Sequence, residues 1–285
     1  GDHNVAAIAG GEFIRRKTPS LWLHDRPASN PIDQMYLTSM VELTDNLENP
    51  QARAGFIGRF NYDYANKYLI ELIGRYDGSW KFPTDDRWGF FPSVSGGWRM
   101  SEEPFWEGIK DIFSDFKLRA SYGIVGYDET SGYNAFDYLG GYTYNQGGAV
   151  IDDAWVIGTK PRGLPVKTLS WLKAKMFNIG FDYGFLDNKL RGELNFYTRK
   201  LDGIPAKRYD ILIPKETGFD LPNENLNSEM IKGMDGSITW SDKVNDLNYS
   251  IGGNFTLARQ YDWNQYKPRF GNSWDYYRNS KNERY

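Results

Sequence analysis

The chain contains no cysteine, which excludes a disulfide framework and any thiolate metal site. Histidine is almost as scarce. His3 and His24 are the only two, too few for a histidine-rich metal centre, and both read as exposed or loop residues. No run of ~18 apolar residues occurs, so the sequence encodes no transmembrane helix. Positive charge is not in excess either: 34 Lys and Arg against 37 Asp and Glu leave a net charge of -3. Nucleic-acid binders usually carry a basic stripe, and this balance argues against one. The G-x-S-x-G elbow, the G-x-G-x-x-G phosphate loop and the Walker sequence are all missing, which removes the commonest hydrolase and nucleotide signatures.

What is present in quantity is glycine and aromatic side chains. Glycine numbers 30, and Tyr 20, Phe 17 and Trp 10 make an aromatic share of 16% over 285 residues. Such a load suits strands and interfacial girdles. The mean hydropathy of -0.63 does not oppose a membrane barrel, because strict alternation hides membrane strands from any average.

The alternation is clearest over residues 189–199, KLRGELNFYTR. Leu190, Gly192, Leu194 and Phe196 share one parity; Arg191, Glu193, Asn195 and Arg199 share the other. A strand sends successive side chains to opposite faces, so this segment has one apolar and one charged face. The pattern recurs over residues 4–15, in a hairpin over 53–80, and over 89–100, 116–126, 169–185, 230–240 and 247–257, which makes nine predicted strands. Short connections at 65–67, 186–188 and 241–246, and a longer one at 102–114 with a helical turn around 106–111, alternate with long polar or Gly-rich ones at 16–52, 81–88, 127–168, 203–229 and 261–285. Tight turns at one end and long loops at the other mark an outer-membrane barrel. Arg59, Asp63, Glu71, Arg75, Arg119, Arg191 and Glu193 all fall on the inward parity, which predicts a wide barrel with a wet or plugged lumen. The chain opens at Gly1 within a predicted strand and stops at Tyr285 in a polar aromatic stretch, and reads as an internal fragment of a longer protein.

From Arg75 to Trp106 the chain reads RYDGSWKFPTDDRWGFFPSVSGGWRMSEEPFW. This resembles the SusC/RagA family of TonB-dependent outer-membrane transporters of Bacteroidetes. The matching residues are Arg75, Asp77, Gly78, Ser79, Arg87, Trp88, Gly89, Phe91, Pro92, Ser93, Ser95, Gly97, Trp98, Arg99, Ser101, Glu102 and Glu103. LRASYGIVG from Leu118, NIGFDYGFLDNKLRGELNFYTRKLDGI from Asn178, NYSIGGNFT from Asn248 and FGNSWDYYRNS from Phe270 extend the likeness along most of the chain. Gly126-Tyr127 stands where the family often has Gly-Asn, and Trp171-Leu172 where it often has Trp-Glu. The resemblance implies an all-β fold, an antiparallel transmembrane β-barrel of about twenty-two strands. Residues 1–285 would form part of that one barrel domain, without the plug and the C-terminal strands. It also implies an importer of oligosaccharides or peptides in the outer membrane, a SusD-like surface lipoprotein as partner, energy delivered through TonB, no catalytic residues and no cofactor.

Candidate chemistry is sparse. Asp85-Asp86, Glu102-Glu103 and Asp152-Asp153 are adjacent acids, and neighbours on an extended chain point apart, which suits neither class of glycosidase pair. They read as solvated loop acids, with Asp152 and Asp153 also weighed for a calcium site. Asn248 and Asn254 begin glycosylation sequons that fall inside a predicted strand and are discounted. The loop aromatics are Trp80, Trp88, Tyr133, Tyr142, Tyr144, Trp155, Trp274, Tyr276 and Tyr277. Trp80, Trp88 and Trp98 read as girdle or packing residues. Tyr142, Tyr144 and Trp155, in the longest loop, are the candidate substrate contacts, since sugars stack on aromatic rings; Gly140-Gly141 and Gly147-Gly148 beside them predict a mobile segment. Polar replacements at Glu193 or Asn195 are expected to be silent for assembly. A soluble all-β carbohydrate-binding module is the alternative reading, and a secreted β-rich glycosidase a more distant one.

Overall fold

A computed structural model describes residues 2–17, 22–25, 41–44, 51–129, 132, 134–208, 210–266 and 271–279. Its elements run β1 (His3–Arg16), β2 (Trp22–Asp25), β3 (Val41–Thr44), β4 (Gln51–Tyr64), β5 (Tyr68–Ser79), β6 (Trp88–Arg99), β7 (Phe113–Tyr127), β8 (Tyr142–Ile151), β9 (Ala154–Pro161), β10 (Leu172–Phe185), β11 (Leu190–Lys207), β12 (Asn223–Val244), β13 (Leu247–Asn264) and α1 (Ser273–Asn279). One antiparallel sheet of nine strands has the order β1-β4-β5-β6-β7-β10-β11-β12-β13, and β2–β3 and β8–β9 form separate hairpins. The nine strands read from the alternation are the nine of the sheet.

Register converts the alternation into two faces. One row of directly opposed residues crosses every strand: Ala7, Phe60, Leu72, Val94, Tyr122, Phe177, Thr198, Lys232 and Arg259. The neighbouring row on the other parity, running through Asn61, Glu71, Ser95, Ser121 and Asn178, is polar. A side-chain period of two cannot slip by one residue without exchanging these faces. The apolar face is left bare: Phe56 is 60% exposed, Phe90 60% and Ile251 70%. A face this wide and this apolar needs a partner medium, and lipid supplies it.

Aromatic rings mark both edges of the apolar band. At the tight-turn end His3, Tyr64, Tyr68, Trp98, Phe105, Trp106, Phe113 and Phe185 form an unbroken chain of ring contacts, with centroids 4.3 to 6.5 Å apart. At the other edge Trp88 stacks on Tyr76 at 4.9 Å and on Phe56 at 6.4 Å. Tyr68 and Tyr76 lie eight positions apart on β5. At ~3.3 Å per residue and a tilt of ~40° that separates the edges by roughly 20 Å, close to the ~25 Å apolar band of outer-membrane barrels.

The tight turns carry left-handed backbone. Ala65 and Asn66 have φ of 52° and 55°, Leu186, Asp187 and Asn188 of 55°, 55° and 61°, and Asn245 of 54°. Asn and Asp tolerate this region; Ala65 and Leu186 adopt it against their preference because the strands on either side are paired throughout.

The packed core lies at the opposite end, in the loops. Phe82, Phe91, Val166, Leu169 and Trp171 are buried together, with Ile124 and Tyr138 against them. Only Phe91 of the five comes from a strand. Its ring covers Gly89 and Gly126, where an added Cβ would collide with it.

Several expected boundaries shift. The strand predicted from residue 169 begins at Leu172, because Leu169 and Trp171 turn into this loop core. The predicted long connection over 203–229 shrinks, since β11 runs on to Lys207 and β12 starts at Asn223. Polar alternation above the membrane looks like loop in sequence. The longest predicted loop contains the β8–β9 hairpin, and the stretch at 16–52 contains β2–β3. The helical turn expected around 106–111 is a 3-10 turn over Pro104–Ile109.

Candidate functional site

The polar face is a network of charge pairs within and between strands. Arg59 bonds Glu71, Nε to Oε2 at 2.7 Å, and Arg75 takes both oxygens of Asp77 at 3.0 Å. Arg119 on β7 reaches Asp182 at 2.6 Å, Glu193 at 3.3 Å and Asn195 at 3.1 Å. Asn195 in turn donates to Asp235 at 2.9 Å and is only 8% exposed. One guanidinium thus ties β7, β10 and β11, and Asn195 carries the network to β12. This corrects the expectation that Asn195 tolerates any polar replacement: it is an interior member of a network, whereas Glu193 sits at its exposed margin. An open hollow against this face is lined by Asn61, Glu71, Ser95, Arg119 and Asn178, which is the surface a lumen presents to water or to a plug.

At the long-loop end the loops are clamped to the wall. Ser79 donates to Asp128 at 2.6 Å, Arg53 Nε meets the same carboxylate at 2.8 Å, and Lys81 donates to the Asp128 carbonyl at 3.0 Å. Arg53 also bonds Glu129 at 2.6 Å and holds that carboxyl below its usual range. Asn225 pairs with the backbone of Ser170 in both directions at 3.1 Å and donates to the Gly203 carbonyl at 2.8 Å. Trp171 donates to the Arg87 carbonyl at 3.1 Å. The β5–β6 and β7–β10 connections are therefore fastened to one another and to the upper ends of β4, β5, β11 and β12 along one rim.

The β8–β9 hairpin stands off this rim. Tyr142 lies opposite Pro161, Tyr144 opposite Thr159 and Trp155 opposite Val150, with a register break between Tyr144 and Gly148. The candidate trio therefore lies on a single hairpin but is not gathered into one pocket, and the three are 68%, 76% and 65% exposed. The Trp155 indole lies over Gly148, where a Cβ would meet it at 2.6 Å. The requirement at Gly148 is close approach of a ring. Asp152 and Asp153 form the left-handed hairpin turn, with φ of 51° and 59°, and among the described residues no group of three or more His, Asp or Glu is placed to hold a metal ion.

The remaining expected residues separate by role. Trp88 and Trp98 lie in the two aromatic belts, while Trp80 packs edge-on against Phe136 of the long loop at 5.2 Å. Trp274 and Tyr277 stack on α1 at 5.9 Å. Tyr133 and the His24 side chain lie outside the described residues. His3 bonds the Tyr62 hydroxyl at 2.8 Å. Sequence reasoning missed a second hollow of about 390 Å³ at the foot of the hairpin, where Lys160, Arg162, Lys207, Asp137 and Phe219 converge. No local spacing signals it, because its walls come from two different loops.

A β-barrel model described as TonB dependent receptor-like matches residues 3–283. The chain belongs to the TonB-dependent receptor β-barrel family. It is 34% identical over 204 residues to the TonB-dependent receptor SusC of Bacteroides thetaiotaomicron, covering 69% of this chain and 20% of SusC. It is 32% identical over 261 residues to TonB-dependent receptor P26 of Formosa agariphila, covering 87% of this chain and 25% of that protein. Among solved structures, the RagAB peptide importer in its closed-closed state matches with a TM-score of 0.70 and 25% identity, over 91% of this chain and 28% of that one. Its open-open state matches in fold with a TM-score of 0.74 and 23% identity, over 95% and 29%. The chain therefore spans about a quarter of its relatives' length. The SusC/RagA resemblance holds, the bare apolar face is the lipid-facing wall of an outer-membrane barrel, and the family is one of transporters and not enzymes.

Proposed function

We propose that this chain forms wall and outward mouth of a SusC-like transporter importing oligosaccharides or peptides with a SusD-like lipoprotein, energised through TonB. Residues 1–285 then belong to one barrel domain. The observation that carries the reading is the combination of a lipid-facing wall with a rim of clamped loops from which an exposed aromatic hairpin extends. The relatives support it: one is SusC, and a solved structure of similar fold is that of a peptide importer. A soluble carbohydrate-binding module would leave the entire apolar face in water.

Within that reading Tyr142, Tyr144 and Trp155 contact the cargo. The hairpin also exposes Val150, Ile151, Val156 and Ile157, apolar side chains of both parities, so one of its faces remains for the lipoprotein. Rings on a preformed hairpin suit this role, because they offer large contact area with few rotatable bonds. In cells making the intact transporter, Y144A and W155A should each weaken cargo uptake about tenfold (~1.4 kcal/mol) at unchanged surface amount. Uptake unaffected by both variants would overturn the site. Co-purification with the lipoprotein, lost on replacing Ile151 and Val156 by Asp, tests the second face separately.

A further inference from the structure

On the lipid-facing parity of β10 to β13 the apolar band ends in cations. Lys175 lies directly opposite Lys200, and Lys232 directly opposite Arg259. Lys200 faces Met230, two positions along β12 from Lys232, so the four cations step across four adjacent strands. Lys173 lies further up the same face of β10, opposite Asp202. Below them the same face reads Phe177, Phe196, Met234 and Leu257. Barrel strands tilt, so the row that begins at Ala7 in the apolar band climbs towards the mouth and leaves the band at Lys232 and Arg259.

Like charges directly opposed across a strand pair are destabilising. Asp202 relieves the first pair, meeting Lys175 at 2.9 Å and Lys200 at 2.8 Å. The second pair has no such carboxylate among the described contacts; Lys232 lies 5.8 Å from the centre of the Tyr261 ring. Lys173, Lys232 and Arg259 are exposed. The edge of the band on β4 to β6 is made differently, by the neutral rings of Phe56, Tyr76 and Trp88. One side of the wall thus ends in aromatics and the other in cations, of which Lys232 and Arg259 lack a carboxylate partner among the described contacts, at the height where the headgroups of the outer leaflet begin.

We propose that Lys173, Lys175, Lys200, Lys232 and Arg259 form a docking strip for the phosphate of an anionic lipid headgroup in the outer leaflet. The strip is continuous with the lipid-facing surface, and charge complementarity selects the occupant. The cations are held on adjacent strands ~4.8 Å apart, a spacing at which one phosphate reaches two of them. The proposal rests on the lipid-facing wall alone and is independent of cargo and of the hairpin site.

The test uses the intact transporter in zwitterionic detergent, its melting temperature followed as phosphatidic acid, phosphatidylcholine or inorganic phosphate is added. A ligand that binds only the folded state raises that temperature. Phosphatidic acid should raise it and phosphatidylcholine should not. K232Q/R259Q should lose the rise while melting no lower than the parent without lipid, because the opposed charges are gone. K232R/R259K, which keeps both charges, should retain the rise. R259Q alone, at an exposed position, should reduce it and serves if the double variant does not assemble. An undiminished rise in K232Q/R259Q or in R259Q overturns the proposal. The same rise with inorganic phosphate or phosphatidylcholine also overturns it, the first indicating a free-anion site and the second a general lipid effect.

Discussion

Leu194 and Asn195 are neighbours with opposite demands. Leu194 looks into hydrocarbon beside Phe181 and Gly236, so Leu194→Arg should cost about 2–4 kcal/mol at mid-membrane depth. Asn195 is buried on the wet face between Arg119 and Asp235. Asn195→Ala should cost roughly 1–3 kcal/mol, the penalty of stranding hydrogen-bonding groups, and Glu193→Gln should change little. Urea-induced unfolding in lipid vesicles measures all three, and a cost for E193Q as large as that for N195A would contradict the network. Gly126 answers to packing: Gly126→Ala forces the Phe91 ring off its seat, at a cost of about 1–3 kcal/mol, read by the same unfolding. Alternation alone placed Leu194 on the apolar face and Glu193 and Asn195 on the polar one. It could not separate Glu193 from Asn195, because both share a parity and only the cross-strand partners differ.

Among the elements, the longer connection between β6 and β7, at the tight-turn end, behaves as a latch. Glu103 accepts from the Tyr68 hydroxyl at 2.5 Å and from Trp98 Nε1 at 3.1 Å, with Lys67 at 3.5 Å. The hydrogen bond from Tyr68, then that from Trp98, holds the Glu103 carboxyl below its ordinary range. A carboxylate lowered by folding stabilises the fold above its unfolded value, near pH 4.3, and loses that contribution as pH falls through the lowered folded value. The barrel should therefore weaken below about pH 4.3 in a part that E103Q removes, as acid titration of its melting temperature would reveal. An acid profile unchanged in E103Q would exclude the latch. The nine long strands were legible because each keeps its period over many residues. The β8–β9 hairpin was not, since both of its faces are apolar and its register breaks at Gly147; polar composition masked the upper reaches of β11 and β12.

For the molecule as a whole, one face needs lipid and two strands, β1 and β13, each leave an edge unpaired within the described sheet. Exposed edges and an uncovered apolar face both drive association. Residues 1–285 produced alone should aggregate in water and disperse only in detergent, as sedimentation would show. A stable aqueous monomer would revive the soluble-module reading.

Sequence by itself determined the class: period-two alternation sets two faces, loop lengths set two ends, and local motifs set the family. These are properties of neighbouring residues, which the chain displays directly. Tertiary structure decided which loops meet at the rim, that the packed core sits at the mouth, that Asn195 is interior, and that cations on four strands share one height. Those facts depend on register and strand tilt, which join residues far apart in the chain and leave no trace in local spacing.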